Sequence, residues 1–170
     1  ATCTPRPVQQ PHPPVWFGEA HPSLLAACAR YGQGWNTVPV APAELQRRLD
    51  ALDAACRAVG RTAAELEKSL EIQILVAPDR PSLRHQLQAM IDLAPPPAID
   101  ADLQAFLSGS SDELPAKLTE TQIIGTPAEV TQQIQAYVEL GITHFLFWFM
   151  DAPEAGGLRL FAEQVAPRFR

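Results

Sequence analysis

The chain has 170 residues, a net charge of −6 and 46% apolar residues. This composition is typical of one globular domain and excludes a disordered tail. The acidic balance argues against a nucleic-acid binder that depends on a basic patch. Uninterrupted apolar runs such as Phe145–Met150 are far shorter than the roughly 18 residues of a membrane helix, so we expect no membrane partner.

Cysteine and histidine usage indicates a reduced setting without a metal centre. The three cysteines are Cys3, Cys28 and Cys56, and no C-x-x-C motif occurs. Wide spacing and an odd number favour free thiols and hence a cytoplasmic location. No histidine lies three or four residues from another histidine or from a cysteine, so the sequence predicts no metal site.

The first third of the chain predicts two short strands separated by a helix. Residues 1–14 are rich in proline and predict an extended lead-in loop. An apolar run that ends at Gly18 predicts a strand near 15–18, and a second strand is predicted near 34–38. Between them, Pro22 suits the first position of a helix that ends at Gly32. The buried stripe predicted for this helix is Leu24, Leu25, Cys28 and Tyr31.

The middle of the chain predicts one long helix, one strand and a connector. A helix begins at Pro42 and ends at Gly60, with apolar residues every three or four positions. A capping box at Thr62–Glu65 predicts one further helical turn. Branched residues then predict a strand near 70–77. Residues 80–120 predict a variable helical connector that is broken by prolines.

The last part of the chain predicts a helix, a strand and a closing helix. Thr126-Pro127-Ala128-Glu129 has the pattern of a capped helix start, and Gly141 ends that helix. The strand near 143–150 is apolar at both parities, which predicts burial on both of its faces. Leu158, Phe161 and Val165 predict a closing helix that ends before Pro167.

Alternating strands and helices favour an α/β fold with a parallel sheet of four strands in sequential order. Four strands are half of an eight-stranded barrel, and they also suit a small doubly wound sheet. Periodicity leaves these two architectures open.

Three stretches resemble the luciferase-like monooxygenase family. They are PHPPVWFGEAHPSLLAACARYGQGWN, LDAACRAVGRTAAELEKS, and IIGTPAEVTQQIQAYVELGITHFLFWFMDAP followed by LRLFAEQVAPRFR. The resemblance implies the C-terminal half of a (β/α)8 TIM barrel, with residues 1–170 as a single segment that contains about strands five to eight. It also implies FMN or coenzyme F420 as cofactor, a small organic substrate and a possible homodimer.

The resemblance further implies that the loop after the first strand binds the phosphate end of the cofactor. The first N–H groups of a helix are unpaired and its dipole favours an anion, which suits this role. The residues implied are Gly18, Glu19, Ala20, His21, Ser23 and, at the end of the second strand, Trp35. Glu19 stands where the family has a second glycine, so its carboxylate must face away from the anion. We expect a crowded turn at Gly18, where a valine would weaken binding.

Simpler interpretations of these residues stay open beside the functional ones. His21 suits a helix cap, and Trp35 suits packing between sheet and helix. His144 is expected to find a backbone partner. Asp151 and Glu154 follow the last strand and are interpreted as solvated loop charges, although the active site of a barrel lies at that end. No residue is assigned to proton or hydride transfer.

Two functions of different classes follow from these observations. The first is the C-terminal portion of a flavin- or F420-dependent oxidoreductase, inactive by itself because the other half supplies most contacts to the reacting groups. The alternative is a non-catalytic half-barrel that associates with itself or with a partner chain. In both cases we expect an uncovered inner sheet face that favours association.

Overall fold

The computed structural model describes residues 4–94 and 98–169 and has the predicted α/β fold. The strands are β1 (Trp16–Gly18), β2 (Gly34–Thr37), β3 (Glu67–Val76), β4 (Gln122–Gly125) and β5 (His144–Phe149). The helices are α1 (Pro22–Tyr31), α2 (Pro42–Arg57), α3 (Arg80–Leu93), α4 (Ala101–Ser108), α5 (Ala116–Thr119), α6 (Pro127–Glu139) and α7 (Gly156–Leu160).

All strand pairs in the sheet are parallel. The long strand β3 pairs with β2 through Glu67–Leu70 and with β5 through Ser69–Ile74. Because Ser69 and Leu70 pair with both neighbours, β2 and β5 lie on opposite edges of β3. The four strands that the sequence predicts therefore lie in the order β1-β2-β3-β5, which confirms the predicted sequential order without a switch point.

Strand β4 is a fifth strand that the sequence did not reveal. It pairs with Gln73–Val76, the last four residues of β3, on the edge that β2 leaves free. Four residues between helices are too few to show a strand period, so only pairing with β3 defines this element. Strand β3 also begins at Glu67, before the predicted start at Leu70. The sequence did not indicate this earlier start because Glu67 and Lys68 are charged and do not continue the apolar pattern.

One face of the sheet, here called the covered face, lies under helices α1, α2 and α6. Alternate β3 residues Leu70, Ile72 and Ile74 are fully buried there. They belong to the main core, whose other large members are Leu25, Trp35, Leu45, Leu49, Leu52, Ile123, Val130, Ile134, Tyr137 and Val165. The buried side chains at alternate positions of β3 thus pack against the apolar stripes of α2 and α6 and form one apolar layer.

The opposite face, here called the open face, carries Trp16, Asn36, Ser69, Glu71, Gln73, Leu146 and Trp148. Helices α3 and α4 cover only its C-terminal end. There Leu75 and Ile124 form a smaller core with Leu83, Leu87 and Phe106. The guanidinium of Arg84 lies 5.1 Å from the centroid of the Phe106 ring, and its Nε donates to the Phe106 carbonyl at 2.7 Å.

Both predicted capping boxes are confirmed. Glu129 Oε2 accepts from the N–H of Thr126 at 2.9 Å and from its hydroxyl at 2.7 Å. At the shorter turn, Glu65 accepts from the N–H of Thr62 at 3.1 Å. These contacts satisfy donors that a helix start leaves unpaired.

Two predictions from apolar patterns are wrong. In α1, Leu24 and Tyr31 are exposed, and the buried residues are Leu25, Cys28 and Ala29. Strand β5 is not buried on both faces, because Leu146 and Trp148 are 42% and 62% exposed.

The closing helix differs from its prediction as well. Leu158 is exposed, and α7 passes into a π-helical turn at Phe161–Val165 and a 3-10 turn at Ala166–Phe169 that includes Pro167. Phe161 packs against Phe147 and Phe149 of β5, with ring centroids 5.2 and 5.7 Å apart. Packing against the covered face thus determines the path of the backbone over residues 156–169.

Candidate functional site

The loop Gly18–Ser23 lies at the C-terminal end of β1, between the sheet and the first turn of α1. Glu19 has a φ of +74°, in the left-handed region that favours glycine. Strand β2 holds this residue from both sides. The Glu19 N–H donates to the Asn36 carbonyl at 3.2 Å, and the Glu19 carbonyl accepts from Trp35 Nε1 at 2.9 Å.

Trp35 acts on this loop from within the core. Its side chain is fully buried among the residues of the covered face. A ligand therefore cannot reach the indole, and the expectation that Trp35 itself contacts a cofactor is corrected. The interpretation of Trp35 as a residue packed between sheet and helix is confirmed, and its N–H fixes the Glu19 carbonyl.

His21 is the N-cap of α1, as the simpler interpretation held. Its Nδ1 lies 2.8 Å from the Ser23 hydroxyl and accepts from the Ser23 N–H at 3.4 Å. The His21 carbonyl accepts from the N–H groups of Leu24 and Leu25. Ser23 therefore does not offer a free N–H group to a ligand, although its hydroxyl and the imidazole are exposed.

Two backbone donors of the loop remain available. Within the part of the chain that the structure describes, the N–H groups of Ala20 and His21 have no hydrogen-bond partner. Helix α1 is ten residues long, so its dipole adds a positive potential at this end. Two unpaired N–H groups before a helix start are suited to an anion. The exposed carboxylate of Glu19 is the one unfavourable charge on the loop.

The expectation of a crowded turn at Gly18 is wrong. A Cβ atom built at Gly18 meets no heavy atom within 4 Å. By its pairing with Asn36, Gly18 belongs to the open face, so this position borders free space beside the two available N–H groups. Glycine here leaves room for a ligand and is not required by the backbone.

Asp151 and Glu154 lie beside a cavity of about 470 Å³ at the C-terminal end of β5. Helix α3 forms the opposite wall with Gln86 and Met90. Asp151 is not simply a solvated charge, because its Oδ2 accepts from the Gly157 N–H at 2.7 Å and so caps α7. The sequence did not reveal this cavity, because its two walls are more than sixty residues apart in the chain.

His144 begins β5 and has side-chain neighbours instead of the expected backbone partner. Its Nδ1 lies 3.3 Å from Glu67 Oε1, and its ring meets the Trp16 indole edge-on at a centroid distance of 6.0 Å. Trp16 and His144 border a depression of about 330 Å³ on the open face, which Asn36, Ser69 and Leu146 also line. In this depression, Ser69 Oγ donates a hydrogen bond to Asn36 Oδ1 at 2.7 Å.

The cysteines of the described chain are structural. Cys28 and Cys56 are free and fully buried between α1 and α2. Burial raises the pKa of Cys28 to about 11 and also raises that of Cys56, which keeps both thiols protonated and unreactive. Over residues 4–94 and 98–169, no cluster of three or more His, Cys, Asp or Glu residues could hold a metal ion. In the same ranges, no helix is long and apolar enough to cross a membrane.

Comparison with known proteins places this geometry in context. The model of the luciferase-like monooxygenase family matches residues 1–144. An F420-dependent glucose-6-phosphate dehydrogenase of Microbacterium testaceum is 25% identical over 100% of this chain and 52% of its own length. The chain thus spans about half the length of the curated relatives it matches.

Solved structures agree with the fold. The monooxygenase RslO1 from Streptomyces bottropensis superposes with a TM-score of 0.69 and 26% identity, over 98% of this chain and 51% of its own. The coenzyme F420-dependent tetrahydromethanopterin reductase of Methanopyrus kandleri gives a TM-score of 0.66 and 17% identity, over 92% and 51% of the two chains. The arc of the sheet is therefore that of half of a larger fold.

Proposed function

The chain belongs to the luciferase-like monooxygenase family, and on that premise we propose that it is the cofactor-anchoring portion of an F420-dependent oxidoreductase. Its loop Gly18–Ser23 binds the phosphate end of the cofactor. The observation that carries this proposal is the pair of unpartnered N–H groups of Ala20 and His21 at the start of α1. F420 is favoured over FMN because curated relatives that the chain matches are named as F420-dependent.

The residues of the loop fit a phosphate group. Ala20 and His21 donate backbone N–H groups, the Ser23 hydroxyl and the His21 imidazole are exposed beside them, and Gly18 leaves the approach open. When bound, coenzyme F420 supplies hydride transfer to or from a small organic substrate. The role that we assign to this loop is to fix the position of the cofactor, and no residue of the loop is assigned to proton or hydride transfer. We therefore expect the chain 1–170 to show no turnover alone.

The test is a titration of ¹⁵N-labelled chain 1–170 with coenzyme F420, FMN and inorganic phosphate. The amide signals of Ala20 and His21 should shift with each phosphate-bearing probe, and most strongly with F420. Shifts confined to other segments would contradict the proposal.

A charge variant with a matched control sharpens this test. Gly18→Asp adds a carboxylate beside the two N–H groups, at a position where a Cβ has free space. Gly18→Asn has the same shape without the charge. We expect Asp to weaken binding by about tenfold relative to Asn, which corresponds to about 1.4 kcal/mol. Equal affinities for the two variants would show that the anion binds elsewhere.

A further inference from the structure

Asn36 lies directly beside the loop Gly18–Ser23, because it pairs with Gly18 across strands β1 and β2. Its carbonyl accepts from the Glu19 N–H at 3.2 Å. Paired residues of neighbouring strands face the same side of a sheet, so the Asn36 side chain and a Cβ at Gly18 would share the open face. That Cβ would meet no heavy atom within 4 Å. The space between the loop and the Asn36 side chain is therefore unobstructed at Gly18.

Ser69 holds the side chain of Asn36 in one orientation. Its Oγ donates to Asn36 Oδ1 at 2.7 Å. Because Ser69 is fully buried, water competes little for this bond. An amide whose oxygen is held in this way turns its NH₂ group to the other side. Within residues 4–94 and 98–169, Asn36 Nδ2 donates no hydrogen bond, so Asn36 has donors to offer beside the loop.

Trp16 closes the opposite side of this amide. A Cβ at Gly34 would lie 2.3 Å from the Trp16 ring, so the indole lies directly on the β2 backbone there. Gly34 precedes Asn36 by two residues and shares its face, which places the indole on the N-terminal side of the amide. Trp16 and Leu146, which line the depression beside Asn36, carry no side-chain oxygen that could accept from Nδ2. The direction that remains for a polar contact is toward the loop.

We propose that Asn36 determines the ligand specificity of the anion loop, and that its amide donates to a hydroxyl group on the carbon chain next to the bound phosphate. The inference rests on the proposed function, because the phosphate must first bind to the N–H groups of Ala20 and His21. The preferred ligand class is a phosphate monoester of a hydroxylated chain. Inorganic phosphate and simple alkyl phosphates make the contacts of the loop alone.

The spacing of the two contacts suits such a ligand. Neighbouring strands lie about 4.8 Å apart, and Ala20 follows Gly18 by two residues, so the Ala20 N–H and the Asn36 side chain are separated by roughly 5–9 Å. A phosphate ester of a three-carbon chain is long enough to reach from one to the other. Inorganic phosphate is too small to contact both.

The test is a titration of ¹⁵N-labelled chain 1–170 with inorganic phosphate, n-propyl phosphate and glycerol phosphate. The two esters have the same number of carbon atoms and differ in their hydroxyl groups. The amide signals of Ala20 and His21 should shift with all three probes, whereas the side-chain NH₂ signal of Asn36 should shift only with glycerol phosphate. Glycerol phosphate should bind about fivefold more tightly than propyl phosphate, as expected for one additional hydrogen bond.

Variants identify the group that gives this preference. Asn36→Ala removes the amide but keeps the backbone carbonyl that holds Glu19. Affinity for inorganic phosphate and propyl phosphate should therefore stay that of the parent, while the preference for glycerol phosphate is lost. Ser69→Ala should reduce the preference, because the amide is no longer held. Gln73→Ala is the matched control, since Gln73 carries an amide on the same face that accepts from Gln122. It should leave the preference unchanged, and circular dichroism confirms that each variant is folded.

Failure of this inference is distinguishable from failure of the proposed function. Shifts at Ala20 and His21 together with equal affinities for the two esters would overturn the role of Asn36 alone, and this comparison needs no variant. A preference that survives in Asn36→Ala would do the same. If no probe shifted the signals of Ala20 and His21, the proposed function would be overturned and this inference with it.

Discussion

The two faces of the sheet come from the same strands and yet serve different purposes. Along β3, the fully buried Leu70, Ile72 and Ile74 alternate with Ser69, Glu71 and Gln73 on the open face. The covered face holds the main core together, since helices α1, α2 and α6 all pack on it. The open face contributes little to that core. One strand thus separates apolar core side chains from polar side chains by its period of two.

The largest predicted effect is the difference in stability between variants at two adjacent residues of β3, one on each face of the sheet. Ile72→Ala removes a fully buried side chain from the main core and should destabilise the chain by about 2–5 kcal/mol. Gln73→Ala removes an exposed side chain that accepts one bond from Gln122 at 2.9 Å, and should change stability by less than about 0.5 kcal/mol. Urea unfolding at a fixed low protein concentration measures both. Similar losses for the two variants would contradict the division of the faces.

A second prediction concerns the ion pair that joins helix α6, on the covered face, to helix α3, on the open face. Glu129 at the start of α6 forms an ion pair with Arg80 at the start of α3. Burial raises the pKa of Glu129, but hydrogen bonds from Thr126 and the charge of Arg80 outweigh burial, so its pKa is lowered. Glu129 therefore stabilises the folded chain above its unfolded pKa of about 4.3, and this contribution is lost as the pH falls through the lower folded pKa.

Glu129→Gln should lower the Tm at neutral pH by about 4 °C, which corresponds to about 1–2 kcal/mol. The difference from the parent should shrink in the acid range, where the parent loses the same contribution. Glu44→Gln is the control, since Glu44 pairs with Arg47 and Arg48 in an exposed setting and screening weakens such pairs. Thermal unfolding followed by circular dichroism at several pH values measures the effect. A constant difference at all pH values would exclude titration of Glu129 as its cause.

A third prediction concerns the hydrogen bond that Trp35, in the core of the covered face, donates to the proposed anion-binding loop Gly18–Ser23. Trp35→Phe keeps most of the packing but removes the N–H that holds the Glu19 carbonyl. We expect a loss of about 1 kcal/mol of stability and about fivefold weaker binding of the phosphate-bearing probe, because Ala20 and His21 are no longer held in place. Phosphate or F420 titration followed by amide shifts measures the affinity.

Tyr137→Phe provides the matched control for this variant. It removes a buried hydroxyl that donates to the Val40 carbonyl at 2.9 Å, so the stability loss should be similar. Probe affinity should stay that of the parent, since Tyr137 does not contact the loop. Equal losses of affinity in both variants would show that Trp35 acts only through general stability.

The smallest expected effect concerns the backbone of Glu19. Glu19→Gly removes the cost of a left-handed φ and should stabilise the chain by about 0.5–1 kcal/mol. Glu19→Gln keeps that cost but removes the charge. Affinity for phosphate should therefore rise in both variants, whereas stability should rise only in the glycine variant. A gain of stability in Glu19→Gln would attribute the effect to charge instead of conformation.

Local signals in the sequence were sufficient to predict those elements whose ends are marked by capping or helix-breaking residues. Pro22 and Gly32 bound α1, and Thr126 with Glu129 starts α6, because caps and helix breakers act within a few residues. The sequential order of the four predicted strands was also predicted, since right-handed crossovers between parallel strands keep sequential strands adjacent. The turn between β1 and α1 was located correctly, whereas its role in anion binding stays a prediction.

Tertiary structure alone decided what each of those elements contacts. Strand β4 exists only because β3 offers an edge to it, and the sequence of four residues does not reveal that pairing. The apolar residues of β5 predicted two buried faces, but burial needs a covering layer, and the described chain supplies one on a single side. Trp35 likewise looked like a ligand contact until its position showed a core residue that holds Glu19. Sequence records local preference, whereas burial and pairing depend on residues that are distant in the chain and meet only in the folded state.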